Sequence, residues 1–263
     1  MNTADRFLTV PGARLRYRDE GAGPAVLLVH GWALDLDMWE PQTPLAALLR
    51  LVRFDRRGFG LSSGNASTRA DVEDLDALIN ELGLVKPLLV GMSQGARVVL
   101  DFAARHPDIP GGLLLDGAPP CAASDLPLAS FRETARRDGI DAFRKLWAGH
   151  ALTQLVTGDP SMHALRARVL ARYRGSDLLA KVEAAPDALD DHTLAQIRVP
   201  VRIVNGECDL ETRKDAGRTL HAALAASELM IVGNAGHLPN LDAPDEYNKI
   251  LSDFARLHLP VAA

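Results

Sequence analysis

Short apolar runs alternate along the chain with longer amphipathic stretches. The apolar runs predict strands at 7–10, 14–18, 25–29, 51–54, 87–90, 112–115, 201–204 and 229–232. Stretches with apolar residues on one helical face predict helices at 39–49, 68–82, 94–105, 213–225 and 244–257. The first two strands flank Pro11-Gly12 and predict a hairpin. Alternation of strand and helix is typical of βαβ units, so we expect an α/β fold with a mostly parallel sheet flanked by helices.

One long segment interrupts this alternation. Helical stretches are predicted at 131–137, 142–147, 162–173 and 178–182, with prolines between them and no convincing strand. The alternation then resumes at Val201. We therefore predict a core formed by 1–118 and 196–263, with a helical insertion at 119–195.

Composition and charge exclude several classes of protein. With 47% apolar and 24% charged residues, the chain can bury a full core, so it is not disordered as a whole. A net charge of −5 gives no electrostatic footprint for binding to nucleic acid. Apolar runs such as 25–29 are too short to cross a membrane. The first residues show no secretory signal, and two cysteines are too few for a disulfide scaffold, so we expect a cytoplasmic protein.

A candidate nucleophile lies between a predicted strand and a predicted helix. The pattern Gly-x-Ser-x-Gly occurs twice, at 91–95 around Ser93 and at 60–64 around Ser62. Ser93 follows the strand 87–90 and precedes a helix, and small neighbours permit the sharp turn that exposes a hydroxyl there. Ser62 follows a polar, glycine-rich loop. We therefore predict that Ser93 is the nucleophile and that Ser62 is structural.

A base and an acid are available after two later strands. His237 lies in a loop directly after the last predicted strand, where catalytic side chains of open α/β sheets are found. Asp209 follows the strand 201–204 and a glycine turn. A histidine takes the serine proton, and a carboxylate orients the histidine, so we predict a triad of Ser93, His237 and Asp209. Asp116 and Glu207 remain alternatives for the acid.

The backbone N–H groups of Trp32 and Gln94 are the predicted oxyanion donors. Trp32 closes the loop after strand 25–29, and Gln94 follows the nucleophile. His30, at the start of the loop that contains Trp32, is expected to brace this loop. Position and apolar character alone suggest that the substrate pocket is lined by Trp32, Met92, Phe143, Leu146 and Trp147. No metal-binding or nucleotide-binding motif occurs, so we expect no metal and no cofactor.

Together these motifs resemble those of the α/β-hydrolase family. The resemblance covers nearly the whole chain and rests on five segments: 30–32, 55–62, 91–95, 206–209 and 234–237. The order Ser93, Asp209, His237 is the order of nucleophile, acid and base in this family. The resemblance implies an α/β-hydrolase fold with the insertion as a helical cap. Because haloalkane dehalogenases and epoxide hydrolases carry Asp where this chain has Ser93, both activities are disfavoured.

The family resemblance leaves the substrate open. It extends to bacterial carboxylesterases, including carrier-protein methyl ester esterases, and to enol-lactonases, carbon–carbon bond hydrolases and perhydrolases. Our first hypothesis is a serine hydrolase that cleaves a small carboxylic ester or lactone through an acyl-enzyme on Ser93. One alternative is a carbon–carbon bond or enol-lactone hydrolase of aromatic breakdown. Another is a non-catalytic ligand receptor on a hydrolase scaffold. The sequence does not indicate an oligomeric state.

Overall fold

The computed structural model describes residues 4–120, 126–180 and 189–259. Its centre is a sheet of eight strands. They are β1 (Arg6–Val10), β2 (Ala13–Glu20), β3 (Ala25–Val29), β4 (Arg50–Phe54), β5 (Leu88–Met92), β6 (Gly112–Asp116), β7 (Val201–Gly206) and β8 (Ser227–Val232). Their order in the sheet is β1-β2-β4-β3-β5-β6-β7-β8. β1, β2 and β4 pair antiparallel, and every other neighbouring pair is parallel.

Helices cover both faces of this sheet. They are α1 (Thr68–Glu81), α2 (Gln94–Arg105), α3 (Leu128–Arg137), α4 (Ile140–Ala148), α5 (Pro160–Ala171), α6 (Ser176–Leu179), α7 (Asp191–Leu194), α8 (Glu211–Ala223), α9 (Pro239–Asp242) and α10 (Pro244–His258). Neighbouring strand residues point to opposite faces. Leu28 accordingly packs in one apolar cluster with Phe254 of α10, and Leu27 packs in a second cluster with Phe102 of α2. The predicted mostly parallel sheet flanked by helices is confirmed.

One predicted helix has a different form. The stretch predicted as a helix at 39–49 is a 3-10 helix, Leu36–Ala47, that contains Pro41 and Pro44. Proline has no backbone N–H and its ring clashes with the preceding turn of an α-helix, so a regular α-helix cannot form there. Asp35 begins this 3-10 helix by accepting a hydrogen bond from the N–H of Asp37 at 2.9 Å.

The described part of the predicted insertion, 119–120, 126–180 and 189–195, contains helices and no strand. The predicted stretch at 178–182 corresponds in part to α6, and residues 181 and 182 lie outside the described residues. We refer to this insertion as the cap. Its Arg172 forms ion pairs of 2.8 Å with both Asp35 and Asp37 of the core. The domain boundaries at 118 and 195 stay a prediction.

Candidate active site

Ser93 lies at a sharp turn between β5 and α2. Its backbone has φ 52° and ψ −117°, a conformation that costs energy for any residue with a side chain. The turn requires glycine on both sides. A Cβ atom on Gly91 would lie 2.6 Å from the Cα atom of Ala96, and one on Gly95 would overlap the carbonyl oxygen of Val29. The N–H of Ser93 donates to the carbonyl of Asp116 at 2.7 Å, which ties the turn to the end of β6.

His237 and Asp209 meet at the ends of neighbouring strands β7 and β8. The distance between Nδ1 of His237 and Oδ2 of Asp209 is 2.8 Å, and both side chains are buried. The other carboxylate oxygen of Asp209 accepts a hydrogen bond of 2.7 Å from the N–H of Leu210. Nε2 of His237 is buried and has no hydrogen-bond partner among the described residues. His237 and Ser93 line the same cavity, so this free nitrogen belongs to the site that contains the hydroxyl.

Gly117 provides the space in which the His237 side chain lies. A Cβ atom at this position would be 2.7 Å from Cε1 and 2.9 Å from Nδ1 of His237. The backbone of Gly117 also has φ +53°, in the left-handed region that favours glycine. Sequence reasoning did not identify this residue. The available signal was a glycine close after the strand predicted at 112–115, at the same sheet edge as the nucleophile.

The two alternative acids occupy other places. Asp116 is fully buried at the end of β6, and burial raises its pKa well above the usual range, with a further contribution from the charge of Asp209. A raised pKa favours the protonated carboxyl, which is a poor partner for an imidazolium. Glu207 is exposed and accepts a hydrogen bond of 3.0 Å from the N–H of Asn234. Of the three candidates, Asp209 is the one that is hydrogen-bonded to His237.

His30 braces the loop that carries the predicted donor Trp32. Nε2 of His30 accepts from the backbone N–H of Arg56 at 2.9 Å. Nδ1 therefore carries the proton, and it donates to the carbonyl of Gly31 at 2.7 Å. Burial, together with the positive charge of Arg56, lowers the pKa of His30 to about 3, so the ring is neutral. The carbonyl of Gly31 and the N–H of Trp32 belong to one planar peptide unit, so His30 sets the direction of this N–H.

A buried arginine performs a similar role at Gln94. Arg56 is 1% exposed, and its Nε donates to Asp71 at 2.8 Å. Its Nη1 donates to the side-chain oxygen of Gln94 at 2.9 Å. The side chain of the second predicted donor residue is thereby held against the core. Sequence reasoning did not identify Arg56, because nothing in its local pattern distinguishes it from Arg57.

The cavity beside Ser93 is narrow and largely apolar. It is lined by Trp32, Leu34, Met92, Ser93, Leu126, Trp147, Leu152, Thr153 and His237. Its volume is about 20 Å³, which is room for about one or two water molecules. Three of the five expected pocket residues, Trp32, Met92 and Trp147, are in this lining.

The other two expected pocket residues lie elsewhere on α4. Phe143 is fully buried and contacts the ring of Trp32 at 5.7 Å, but it is not part of the cavity lining. Leu146 lies at the surface with 43% of its area exposed. Residues 143 and 147 are one helical turn apart and share a face, whereas residue 146 is rotated by about 100° from residue 147. Helix geometry therefore places Leu146 outside the described cavity lining.

The cap contacts Trp32 through aromatic side chains and through a carboxylate. The indole ring lies 4.8 Å from that of Trp147 and 6.0 Å from that of Phe131. Its Nε1 donates to Asp177 of α6 at 2.6 Å, and the hydroxyl of Tyr173 donates to the same carboxylate at 2.5 Å. The position of the loop that carries Trp32 therefore depends on the cap.

Neither a metal site nor a membrane-spanning helix is found among the described residues. No group of three or more histidine, cysteine, aspartate or glutamate side chains in 4–120, 126–180 and 189–259 has the arrangement of a metal site. Over the same ranges, no helix combines the length and the apolar character that a membrane crossing requires.

Comparison with known proteins identifies relatives over almost the whole chain. A model of the alpha/beta hydrolase family matches residues 26–250. A putative 2-succinyl-6-hydroxy-2,4-cyclohexadiene-1-carboxylate synthase from Bacillus subtilis is 28% identical over 92% of this chain and 95% of its own. The enol-lactonase from Burkholderia xenovorans LB400 superimposes with a TM-score of 0.83 at 25% identity, over 95% of this chain and 99% of its own. A thermophilic esterase from Thermogutta terrifontis gives a TM-score of 0.81 at 26% identity, over 98% and 100%.

Proposed function

We propose that this chain, which belongs to the alpha/beta hydrolase family, is a serine hydrolase that cleaves small carboxylic esters through an acyl-enzyme on Ser93. One observation carries the proposal. Asp209 holds Nδ1 of His237 at 2.8 Å, and the unpartnered Nε2 belongs to a side chain that lines the cavity of Ser93. This is the arrangement that a hydroxyl needs for activation as a nucleophile.

In the proposed reaction, the Ser93 hydroxyl attacks the ester carbonyl carbon while Nε2 of His237 takes its proton. The negative charge that develops on the carbonyl oxygen is stabilised by the N–H groups of Trp32 and Gln94. The bond to the leaving alcohol then breaks, and His237 donates the proton to that alcohol. A water molecule repeats the sequence on the acyl-enzyme and releases the acid. Asp209 orients the imidazole and stabilises its protonated form in each transition state.

The cavity favours a small, uncharged acyl group. Its volume is about 20 Å³ and most of its lining is apolar. Among the described residues of this lining there is no lysine or arginine to pair with a second carboxylate on the substrate. An acetyl group therefore needs the least displacement of Trp147 and Leu152, and longer acyl chains need more.

The experiment compares hydrolysis of p-nitrophenyl acetate, butyrate and octanoate by the native protein and by Ser93→Ala. We expect the native protein to prefer acetate and Ser93→Ala to lose about 10⁴-fold or more in kcat. Ser62→Ala is the matched control, because Ser62 lies in the same sequence pattern but its hydroxyl donates to the carbonyl of Asp55 at 2.6 Å. Its folded fraction is expected to keep full activity. Retained activity in Ser93→Ala would overturn the proposal.

A fluorophosphonate probe provides a second readout that needs no substrate. We expect one probe molecule per chain, located on Ser93 by mass spectrometry. A folded native protein with neither turnover nor labelling would contradict a hydrolase. Saturable binding of a ligand without turnover would then indicate a receptor.

Enol-lactone hydrolysis is a second candidate, favoured by the similarity to the Burkholderia enol-lactonase. An enol-lactone is a cyclic ester, so the same attack by Ser93 applies and the leaving alcohol stays attached to the acyl group. The ratio of kcat/KM for an enol-lactone to that for p-nitrophenyl acetate separates the two candidates. Turnover of a ring-fission dienoate without ester activity would instead favour carbon–carbon bond cleavage.

A further inference from the structure

Asp242 connects the cap to the loop of the predicted catalytic histidine. It is the last residue of α9, directly after the His237 loop. Its Oδ2 accepts a hydrogen bond of 2.7 Å from the N–H of Gly236, the residue before His237. Its Oδ1 accepts from the N–H of Val156 at 2.7 Å and from that of Thr157 at 3.0 Å, and both residues belong to the cap. One carboxylate thus holds three backbone N–H groups from two distant parts of the chain.

The surroundings leave this carboxylate few other partners. Asp242 is 9% exposed. A Cβ atom on Gly236 would lie 3.3 Å from Oδ2 of Asp242 and 3.4 Å from the carbonyl oxygen of Gln154. The His237 loop and the cap are therefore in close contact. The hydrogen bond from Gly236 is buried, and those from Val156 and Thr157 are partly buried. A buried N–H group that loses its acceptor is desolvated without compensation, so the loss is most costly at Gly236. The contact between cap and loop therefore depends on Asp242.

We propose that Asp242 is a positioning residue, which acts through Gly236 to hold His237 in place and through Val156 and Thr157 to hold the cap against the His237 loop. The catalytic part of this inference rests on the proposed function. A carboxylate suits the role, because both of its oxygens accept hydrogen bonds. An asparagine has one acceptor oxygen and one N–H donor group. Whichever way its amide points, a donor faces either Gly236 or the two cap residues.

The test is Asp242→Asn, which keeps the size of the side chain. Hydrogen bonds to a charged group are among the stronger ones in proteins, and we expect kcat/KM to fall about 10- to 100-fold in this variant. We also expect faster amide hydrogen exchange at Gly236, or at Val156 and Thr157, measured by NMR. The exchange measurement needs no substrate and stands whether or not the protein is a hydrolase.

A double-mutant cycle with His237→Ala distinguishes positioning from a general loss of stability. If Asp242 acts through His237, Asp242→Asn lowers kcat/KM in the native background and has no further effect in the His237→Ala background. Equal effects in both backgrounds would overturn the positioning role. Asp159→Asn is the matched control, because Asp159 is an exposed cap carboxylate that accepts from the N–H of Ser161 at 2.8 Å. It is expected to change neither activity nor exchange at Gly236.

Two further outcomes decide the proposal. Unchanged exchange at Gly236, Val156 and Thr157 in Asp242→Asn would overturn it. If the native protein is folded but neither turns over nor binds the fluorophosphonate, the proposed function fails, and with it the catalytic role of Asp242. Faster exchange in the variant would in that case still support the contact between cap and loop.

Discussion

Gly117→Ala is expected to remove most of the activity by displacing His237. The added Cβ atom would lie 2.7 Å from Cε1 and 2.9 Å from Nδ1 of the imidazole. Carbon atoms in good contact are about 3.5–4.0 Å apart, so the ring must move by about 0.8 Å or more. The Nδ1–Oδ2 distance to Asp209 is 2.8 Å, and such a movement takes it to the limit of a useful hydrogen bond. A misplacement of about 1 Å can cost about 100-fold in rate.

The same substitution also strains the backbone, and that effect must be separated from the displacement. A non-glycine residue in the left-handed region costs about 1–2 kcal/mol of stability. Gly83→Ala is the matched control. Gly83 has φ +59°, close to the +53° of Gly117, and nothing lies within 4 Å of the position of its Cβ atom. Both variants therefore share the backbone cost in urea unfolding, and Gly117→Ala adds the cost of displacing His237.

The assay is kcat/KM for p-nitrophenyl acetate on the two variants and the native protein, under conditions in which all are folded. We expect Gly83→Ala to match the native protein and Gly117→Ala to fall about 100-fold, which is about 2.7 kcal/mol of transition-state stabilisation. If Gly117→Ala stays within about 3-fold of Gly83→Ala, the reasoning that ties the His237 position to the glycine is refuted.

Two other predictions concern the cap. Trp147→Ala enlarges the cavity and makes room for the two additional CH₂ groups of a butyryl chain. At about 0.8 kcal/mol per buried CH₂, the ratio of kcat/KM for p-nitrophenyl butyrate to that for p-nitrophenyl acetate should rise about 10-fold. An unchanged ratio would mean that Trp147 does not limit the size of the acyl group. Burial, with the charges of Asp55 and Asp37, raises the pKa of Asp35 from 3.8 to about 6, although Arg172 opposes this. The native state therefore binds this proton more tightly than the unfolded state, and the contribution of Asp35 to stability falls as pH rises from about 4 to 6. Asparagine does not titrate, so urea unfolding should show Asp35→Asn gaining about 2 kcal/mol relative to the native protein between pH 4 and pH 7. A difference that does not vary with pH would contradict this.

The core of the fold was predictable because its central strands, β3 to β7, are buried on both faces. β3 and α2 occupy the predicted ranges, 25–29 and 94–105. Buried positions carry apolar residues, so a fully buried strand gives a continuous apolar run and a helix with one buried face gives an amphipathic pattern. Both patterns are visible in the sequence. The elements that differ depend on other effects. Pro41 and Pro44 change the helix type of a stretch with a helical pattern, and α9 has too few residues to show a period.

The candidate site was predictable where a residue follows directly from a strand end. Ser93, Asp209 and His237 come after β5, β7 and β8, and parallel strands bring their carboxyl ends to one edge. The pocket was harder to predict because the rotation and packing of α4 decide which side chain reaches the cavity. Gly117 and Asp242 were missed for a related reason. Their roles are contacts with residues far away in the sequence, and no local pattern indicates such contacts.

The narrow cavity beside Ser93 has a consequence for the timing of a reaction cycle. In the proposed reaction, an ester enters while the cavity walls are displaced, since the cavity volume is about 20 Å³. These walls include Trp147, which is 4% exposed and stacks on His150 at 4.7 Å. Movements of lids and packed elements take about microseconds to milliseconds and limit turnover in many enzymes. We therefore expect entry and release to set the pace for bulky esters, so that a change in the cap alters their rate of turnover without any change at Ser93 or His237.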